Sequence, residues 1–192
     1  MRPVLATICA VFLMANCTSG TSDGATSPGG GFSSASSDAG VFVRSCESSV
    51  FGDLGAGWRN DAVVAGPVAF VGARGYEDDP KRLFLARKPG MATAQKVLAV
   101  VVGDRPVLVS VQRPNAALFY DPSKWGQSNH VALRRGDEAT RFEPCTADSQ
   151  RSTQFNGGFL VRRPTCVPVK VQIEGGQATI VSLSFGAGAC HR

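Results

Sequence analysis

From residue 41 onward, no stretch of 12 residues carries apolar side chains at the spacing of an amphipathic helix, so a helical core is not available to this chain. What recurs instead is the β-branched run of strand length, as at 63–72 (VVAGPVAFVG), 96–103 (KVLAVVVG) and 106–112 (PVLVSVQ). Shorter candidates lie at 83–87, 116–120, 130–134, 139–143, 159–162, 167–174 and 177–185. In the stretch from 169, Val169, Val171 and Ile173 alternate with Lys170, Gln172 and Glu174, the pattern of a half-buried strand. GDRP at 103–106 and the Gly175-Gly176 pair each separate two such runs and read as hairpin connections, the second as a two-residue primed turn. A turn or two of helix is expected only around 122–128, and no internal repeat is found. Short strands at regular spacing with turn residues between them predict an all-β domain. The expected form is an antiparallel β-sandwich, with the immunoglobulin-like arrangement as nearest template and a barrel as runner-up.

Six Cys occur; Cys9 falls in a leader segment and Cys17 at its end, which leaves Cys46, Cys145, Cys166 and Cys190 for the domain. An even number in an exported domain reads as two disulfides. Four Cys allow three pairings. The expected one is Cys145–Cys166, closing a local polar loop, with Cys46–Cys190 tying the chain ends, each bridge contributing about 2–4 kcal/mol. No C-x-x-C knuckle is present, so no metal site is expected.

The leader is itself informative. Met1 and Arg2 precede a 12-residue apolar run, residues 4–15, interrupted only by Thr7. A bilayer span needs about 20 apolar residues, whereas the h-region of a signal peptide has this shorter length. The run ends Leu13-Met14-Ala15-Asn16-Cys17, which resembles the lipobox of bacterial lipoproteins, with Asn16 departing from the usual Gly or Ala. Residues 1–17 therefore read as a signal peptide whose Cys17 is lipid-modified, ordinary secretion being the alternative. Residues 18–40 follow, with 16 of 23 Gly, Ser or Thr and Phe32 the one large apolar side chain. Such a stretch cannot bury enough surface to offset its ordering entropy and reads as a tether spanning roughly 25 Å. The domain proper is then 41–192.

Charge and motifs remove several function classes. Residues 18–192 carry 19 basic and 15 acidic side chains, a net charge of +4, and the basic ones are dispersed along the sequence. The densest group, Arg134, Arg135 and Arg141, is interrupted by Asp137 and Glu138, so a nucleic-acid stripe is not expected. His130 and His191 are the only histidines, and no G-x-S-x-G elbow accompanies them. Glu77-Asp78-Asp79 and Asp137-Glu138 sit among turn residues and read as loop acids rather than a catalytic pair. No phosphate-binding glycine loop is present, since GDLGAGW at 52–58 lacks the spacing, and no cofactor is expected. The most distinctive phrase is 153–159 (TQFNGGF), where Asn-Gly-Gly suits a tight turn. Gln154, Phe155 and Asn156, with Trp125 in the polar stretch 121–129, are the candidate ligand contacts, because amides and aromatics suit sugars or peptides.

WRND at 58–61, VVAGPVAFVGARGY at 63–76, QFNGGF at 154–159 and LSFGAGAC at 183–190, behind such a leader and tether, resemble exported proteins and lipoproteins of high-GC Gram-positive bacteria. The resemblance covers about 45–190. It implies an extracytoplasmic setting and brings no catalytic or binding residues with it. The expectation is an exported, lipid-anchored cell-envelope protein acting as a binding or structural module. Its partners would be the membrane, through the anchor, and an envelope protein or glycan. The alternative is a secreted hydrolase of unknown type.

Overall fold

The computed structural model describes residues 41–85, 88–112, 114–126, 128–146 and 152–190. The leader, Cys17, the tether and His191 lie outside the described residues. Ser37–Arg192 is one compact unit.

The described strands, numbered in chain order, form three sheets. The first has the order β1 (Phe42–Arg44), β9 (Ala139–Phe142), β6 (Val107–Val111), β12 (Thr165–Ile173), β13 (Ala178–Phe185). The second is β10 (Ser152–Phe155), β5 (Leu98–Val102), β3 (Val68–Val71), β2 (Ala62–Ala65). The third is β7 (Ala116–Leu118), β11 (Gly158–Val161), β4 (Met91–Lys96), β8 (His130–Ala132). Every pairing is antiparallel except β1 with β9. The fold is all-β, as the sequence predicts, with its strands shared among three sheets where a simple sandwich has two.

The strands follow from their side-chain patterns. In β12, Val167, Val169 and Val171 are buried while Pro168 and Lys170 are exposed, which is the period-2 alternation of a one-sided strand. Pro168 pairs with Ser182 of β13 but lies beyond the end of β6, whose last partner is Val169, so its missing N–H interrupts no ladder on that side. β5 is apolar throughout, and from Leu98 to Val101 both its faces are covered. Ala99 and Val101 enter the main core, while Leu98 and Val100 lie under Leu54 and Trp58. That core is common to all three sheets, with Phe142 and Val169 from the first, Phe70 and Phe155 from the second, and Phe159 and Val161 from the third.

The second and third sheets are joined by one bent ladder. β10 runs against β5 with Phe155 opposite Ala99, and β11 runs against β4 with Gly158 opposite Lys96, the same register on both sides of the bend. At the bend itself, Val97 N–H donates to the Gly157 carbonyl at 3.1 Å. Asn156-Gly157-Gly158 is therefore a strand corner and not the tight turn expected from its composition. Both glycines are required. Gly157 has φ 153°, and a Cβ there would stand 2.4 Å from Tyr120 Cδ1. A Cβ on Gly158 would stand 1.9 Å from the Gln95 carbonyl oxygen. Such a corner lets one strand serve two sheets.

Several local expectations are corrected. The run 63–72 is not one strand but the hairpin β2–β3, broken at Gly66-Pro67 where Gly66 has φ 55°. GDRP at 103–106 is not a hairpin turn, since β5 and β6 belong to different sheets. The β12–β13 hairpin exists, but its turn closes from Gly176 N–H to the Ile173 carbonyl and so runs through Glu174 and Gly175. Leu83, Phe84 and Leu85 form no strand. The expected turn of helix appears as a 3-10 turn at Pro122–Lys124, and a further short helix, α1 (Arg74–Asp78), was not foreseen.

The four domain Cys are all bonded, as expected, but as Cys46–Cys145 and Cys166–Cys190. The expected Cys145–Cys166 and Cys46–Cys190 pairings are wrong for a topological reason. Parallel pairing sets Arg44 opposite Phe142, which brings Cys46 and Cys145 together just past the strand ends. Likewise Cys166 lies opposite Ser184, and the chain turns back through Gly186 and Gly188 to place Cys190 beside it.

Peptide mapping of the non-reduced protein is expected to recover Cys46–Cys145 and Cys166–Cys190 linked peptides. Gly158→Ala is expected to destabilise the domain by about 1–3 kcal/mol or more, because the obstructing atom is backbone and cannot rotate away. The shift in urea midpoint measures it.

Candidate functional site

The most unusual side chain of the domain is Arg44, which is 1% exposed. β1 points it inward opposite Phe142, between Val43 and Ser45 on the solvent side of the alternation. Among the described residues no carboxylate bonds it. Its Nε–H donates to Ser48 Oγ at 2.9 Å, Nη1–H to the carbonyls of Tyr120 and, at 3.1 Å, Asn156, and Nη2–H to the Ser48 carbonyl and, at 3.3 Å, Asn156 Oδ1. The guanidinium also lies 5.6 Å from the centroid of the Phe155 ring. Burial lowers its pKa from the ordinary value, with the charge of Asp121 and the phenol of Tyr120 acting in opposition. Burial likewise pushes the Tyr120 phenol far up, and its O–H donates to the Val97 carbonyl at 3.0 Å. Arg44 thus clamps β1, the strand corner at Asn156 and the chain end of β7 into one unit.

A second clamp fixes the stretch after Tyr120. Asp121 caps the 3-10 turn at Pro122–Lys124, its Oδ1 accepting from Ser123 N–H at 2.9 Å and from Ser123 Oγ at 2.6 Å. Lys124 Nζ bridges Asp121, at 3.5 Å, and Asp137. The Lys124 carbonyl accepts from Arg135 Nη2–H at 2.9 Å. Trp125 follows, half-buried, with its indole Nε1–H donating to the Phe119 carbonyl at 3.3 Å. Its ring is thereby held against Phe119, Ala94 and their neighbours on the outer face of the third sheet.

Between these clamps lies a groove of about 440 Å³. Trp125 and Phe119 form its apolar wall, Ala94 and Lys96 of β4 its floor, and Asn156, Ser128 and Asn129 its polar rim. Arg44 occupies both oxygens of Asn156, so what this residue offers a ligand is its Nδ2 donor. Lys96 adds a cation. Among the described residues its lining includes no Asp, Glu, His or Cys side chain. The arrangement therefore suits a ligand with one flat apolar face and several acceptors. Such a small aromatic and amide-lined concavity is a common form of ligand site.

The sequence candidates divide. Trp125 and Asn156 meet at this groove. Phe155 does not: it is fully buried against Phe142, ring centroids 5.0 Å apart, and belongs to the core. Gln154 points away from it on the second sheet, its Nε2–H donating to the Gly52 carbonyl at 2.8 Å. His130 is exposed, and its Nδ1 lies 3.1 Å from Oγ1 of the buried Thr93, while Ser128 contacts only its backbone. A second cavity, about 470 Å³, is lined by Asp61, Asp79, Tyr76, Lys81, Arg82 and Lys96. Among the described residues no three His, Cys, Asp or Glu side chains come together as a metal site. Arg44 was missed altogether; in FVRS nothing but an inward position on a three-residue strand marks it.

No protein-family model, no curated protein and no solved structure matches this chain.

Arg44→Met is expected to cost about 3 kcal/mol or more, because at least two carbonyls lose their donor at about 1–3 kcal/mol each. Arg44→Lys should recover only part of this, since an ammonium cannot reproduce the planar fork. Urea denaturation of the two variants beside the parent measures both.

Proposed function

We propose that this chain is an exported, lipid-anchored protein of the bacterial cell envelope that acts as a binding module through the groove at Trp125. Export is supported by the 12-residue apolar leader and by two disulfides in the domain behind it, a covalent pattern of oxidising compartments. Anchoring is supported by Cys17 at the leader's end and the Gly/Ser/Thr-rich stretch after it. Within the all-β class, we read the domain as a β-sandwich extended by a third sheet, because the faces of all three close on one core. An immunoglobulin-like ancestry would be the finer form of that reading.

The observation that carries the binding role is the groove itself. Its Trp is fixed by a hydrogen bond and its Asn is fixed through both oxygens, so the site is pre-organised and pays little ordering entropy on binding. The ligand it fits is a glycan or a peptide, whose apolar face covers the indole and whose oxygens meet Asn156 and Lys96. The alternative, a secreted hydrolase, draws support from the second cavity, where Asp61 and Asp79 line one space.

Mass spectrometry of the protein from its native host is expected to find an acylated Cys17 at the mature N-terminus; an unlipidated N-terminus beyond residue 17 would refute the anchor. Soluble cell-wall glycan and peptide fragments of the host are expected to quench Trp fluorescence. Trp125→Ala and Asn156→Ala should weaken that binding tenfold or more, a loss of about 1.4 kcal/mol. If they leave binding unchanged while Asp61→Asn abolishes turnover of the same fragments, the hydrolase reading replaces this one.

A further inference from the structure

The basic residues that are scattered in sequence are gathered by the fold. Three connections meet at one end of the third sheet: the approach to β4, the approach to β7 and the exit from β11. Their described residues read KPG at 88–90, PN at 114–115 and RRP at 162–164, three basic residues and no acid. The described parts of these loops enclose a shallow concavity of about 430 Å³ lined by Lys88, Gly90, Asn115, Arg162 and Arg163, with no acidic side chain in its wall. The loops touch. Arg162 N–H donates to the Asn115 carbonyl at 3.2 Å, and Arg162 Nη2 lies 3.9 Å from where a Cβ of Gly90 would stand. Lys88, Arg162 and Arg163 are all exposed, and the ion pairs of the described residues involve Lys124 and Arg141 instead. Cations held together without a counter-charge repel one another, and an anionic partner relieves that repulsion.

We propose that this basic pole docks on the anionic phosphate headgroups of the membrane that carries the protein. The inference rests on the anchored reading above, because the tether is what keeps the pole near that surface. On that reading the 23-residue Gly/Ser/Thr-rich segment would act as a tether of roughly 25 Å and hold the domain at high effective concentration against the bilayer. A flat anionic surface matches short loops whose cations, Lys88, Arg162 and Arg163, share one end of a sheet, and each Lys or Arg near such a surface adds to the attraction. A nucleic-acid surface is disfavoured because no aromatic residue lies among the loops. Docked in this way, the domain has a defined orientation, with the Trp125 groove at the opposite end of the third sheet, where Lys96 and Gly158 lie.

Sedimentation with vesicles tests this, using the mature chain from residue 18 so that no acyl group contributes. Binding is expected to phosphatidylcholine vesicles containing about one-third phosphatidylglycerol and not to pure phosphatidylcholine, and to vanish at about 0.5 M salt. Lys88→Gln, Arg162→Gln and Arg163→Gln should each weaken it about fivefold, while Lys170→Gln, on exposed β12, should leave it unchanged. Circular dichroism confirms that the variants fold. Absence of binding to the anionic vesicles, or equal binding by the triple variant, overturns the proposal. So does complete competition by millimolar inorganic phosphate or by DNA, which would make the pole a general anion site. Because the vesicle assay uses unlipidated chain, its failure alongside an acylated Cys17 removes the pole and leaves the anchor standing. Success with an unlipidated native N-terminus does the reverse.

Discussion

The bent ladder between β4–β5 and β10–β11 is the constraint on which the remaining architecture depends. It carries one hydrogen-bonded register through a corner, so the second and third sheets cannot shift relative to each other without breaking backbone pairing. The corner is available only to a chain with no Cβ at two successive positions: Tyr120 fills the space a side chain on Gly157 would need, and the Gln95 backbone fills that of Gly158. Tyr120 in turn packs edge-on to Phe142 of the first sheet at 5.1 Å and to Phe159 of the third at 6.1 Å. One backbone feature thereby brings three sheets around one ring. The desolvation of backbone at such a corner has to be met by donors, and Arg44 supplies them.

Arg44 also explains why a groove exists where it does. A guanidinium with its donors directed at three separate carbonyls draws β1, the corner and the end of β7 inward, and leaves the outer side of the corner concave. The Asp121–Lys124–Asp137 bridge pulls the next turn over that concavity and sets Trp125 in its wall. Polar satisfaction of the interior and the shape of the surface are here the same event. The hydroxyl of Thr140 and one oxygen of Asp137 are buried without partners in this region, which places the residual cost close to the same clamps.

How much was legible in the sequence follows from what each signal physically reports. Alternation from Val169 to Glu174 reported a strand and its inward face correctly, because a period of two is a local property, while the Val-rich run 63–72 reported strand but not the break at Gly66-Pro67. Partner choice is not local. Nothing in FVR announces a parallel partner at 140–142, and both disulfide pairings depended on that and on the β12–β13 register. The phrase QFNGGF was recognised as special and misread in kind, since glycine pairs serve corners as well as turns. Trp125 and Asn156 were legible as polar-loop residues with ligand chemistry, whereas Phe155, between them in character, takes the inward position of its strand. Arg44 was illegible because, beyond Ser48, its acceptors stand 76 and 112 residues away. The basic pole was illegible for the same reason: dispersal along the chain says nothing about distance in space.

The Cys46–Cys145 bond has a mechanical consequence. Any tension that reaches the domain from its N-terminal side enters at β1, a strand of only three residues whose parallel pairing with β9 is loaded in shear. Two residues further on, the crosslink carries that load covalently to Cys145, just past β9, so the residues between Cys46 and the start of β9 lie in a closed loop off the covalent path. Among those residues are β2 to β8, Trp125 and the floor of the groove. Tension from that side would therefore stretch the crosslinked rim of the domain while the face that carries the Trp125 groove keeps its shape.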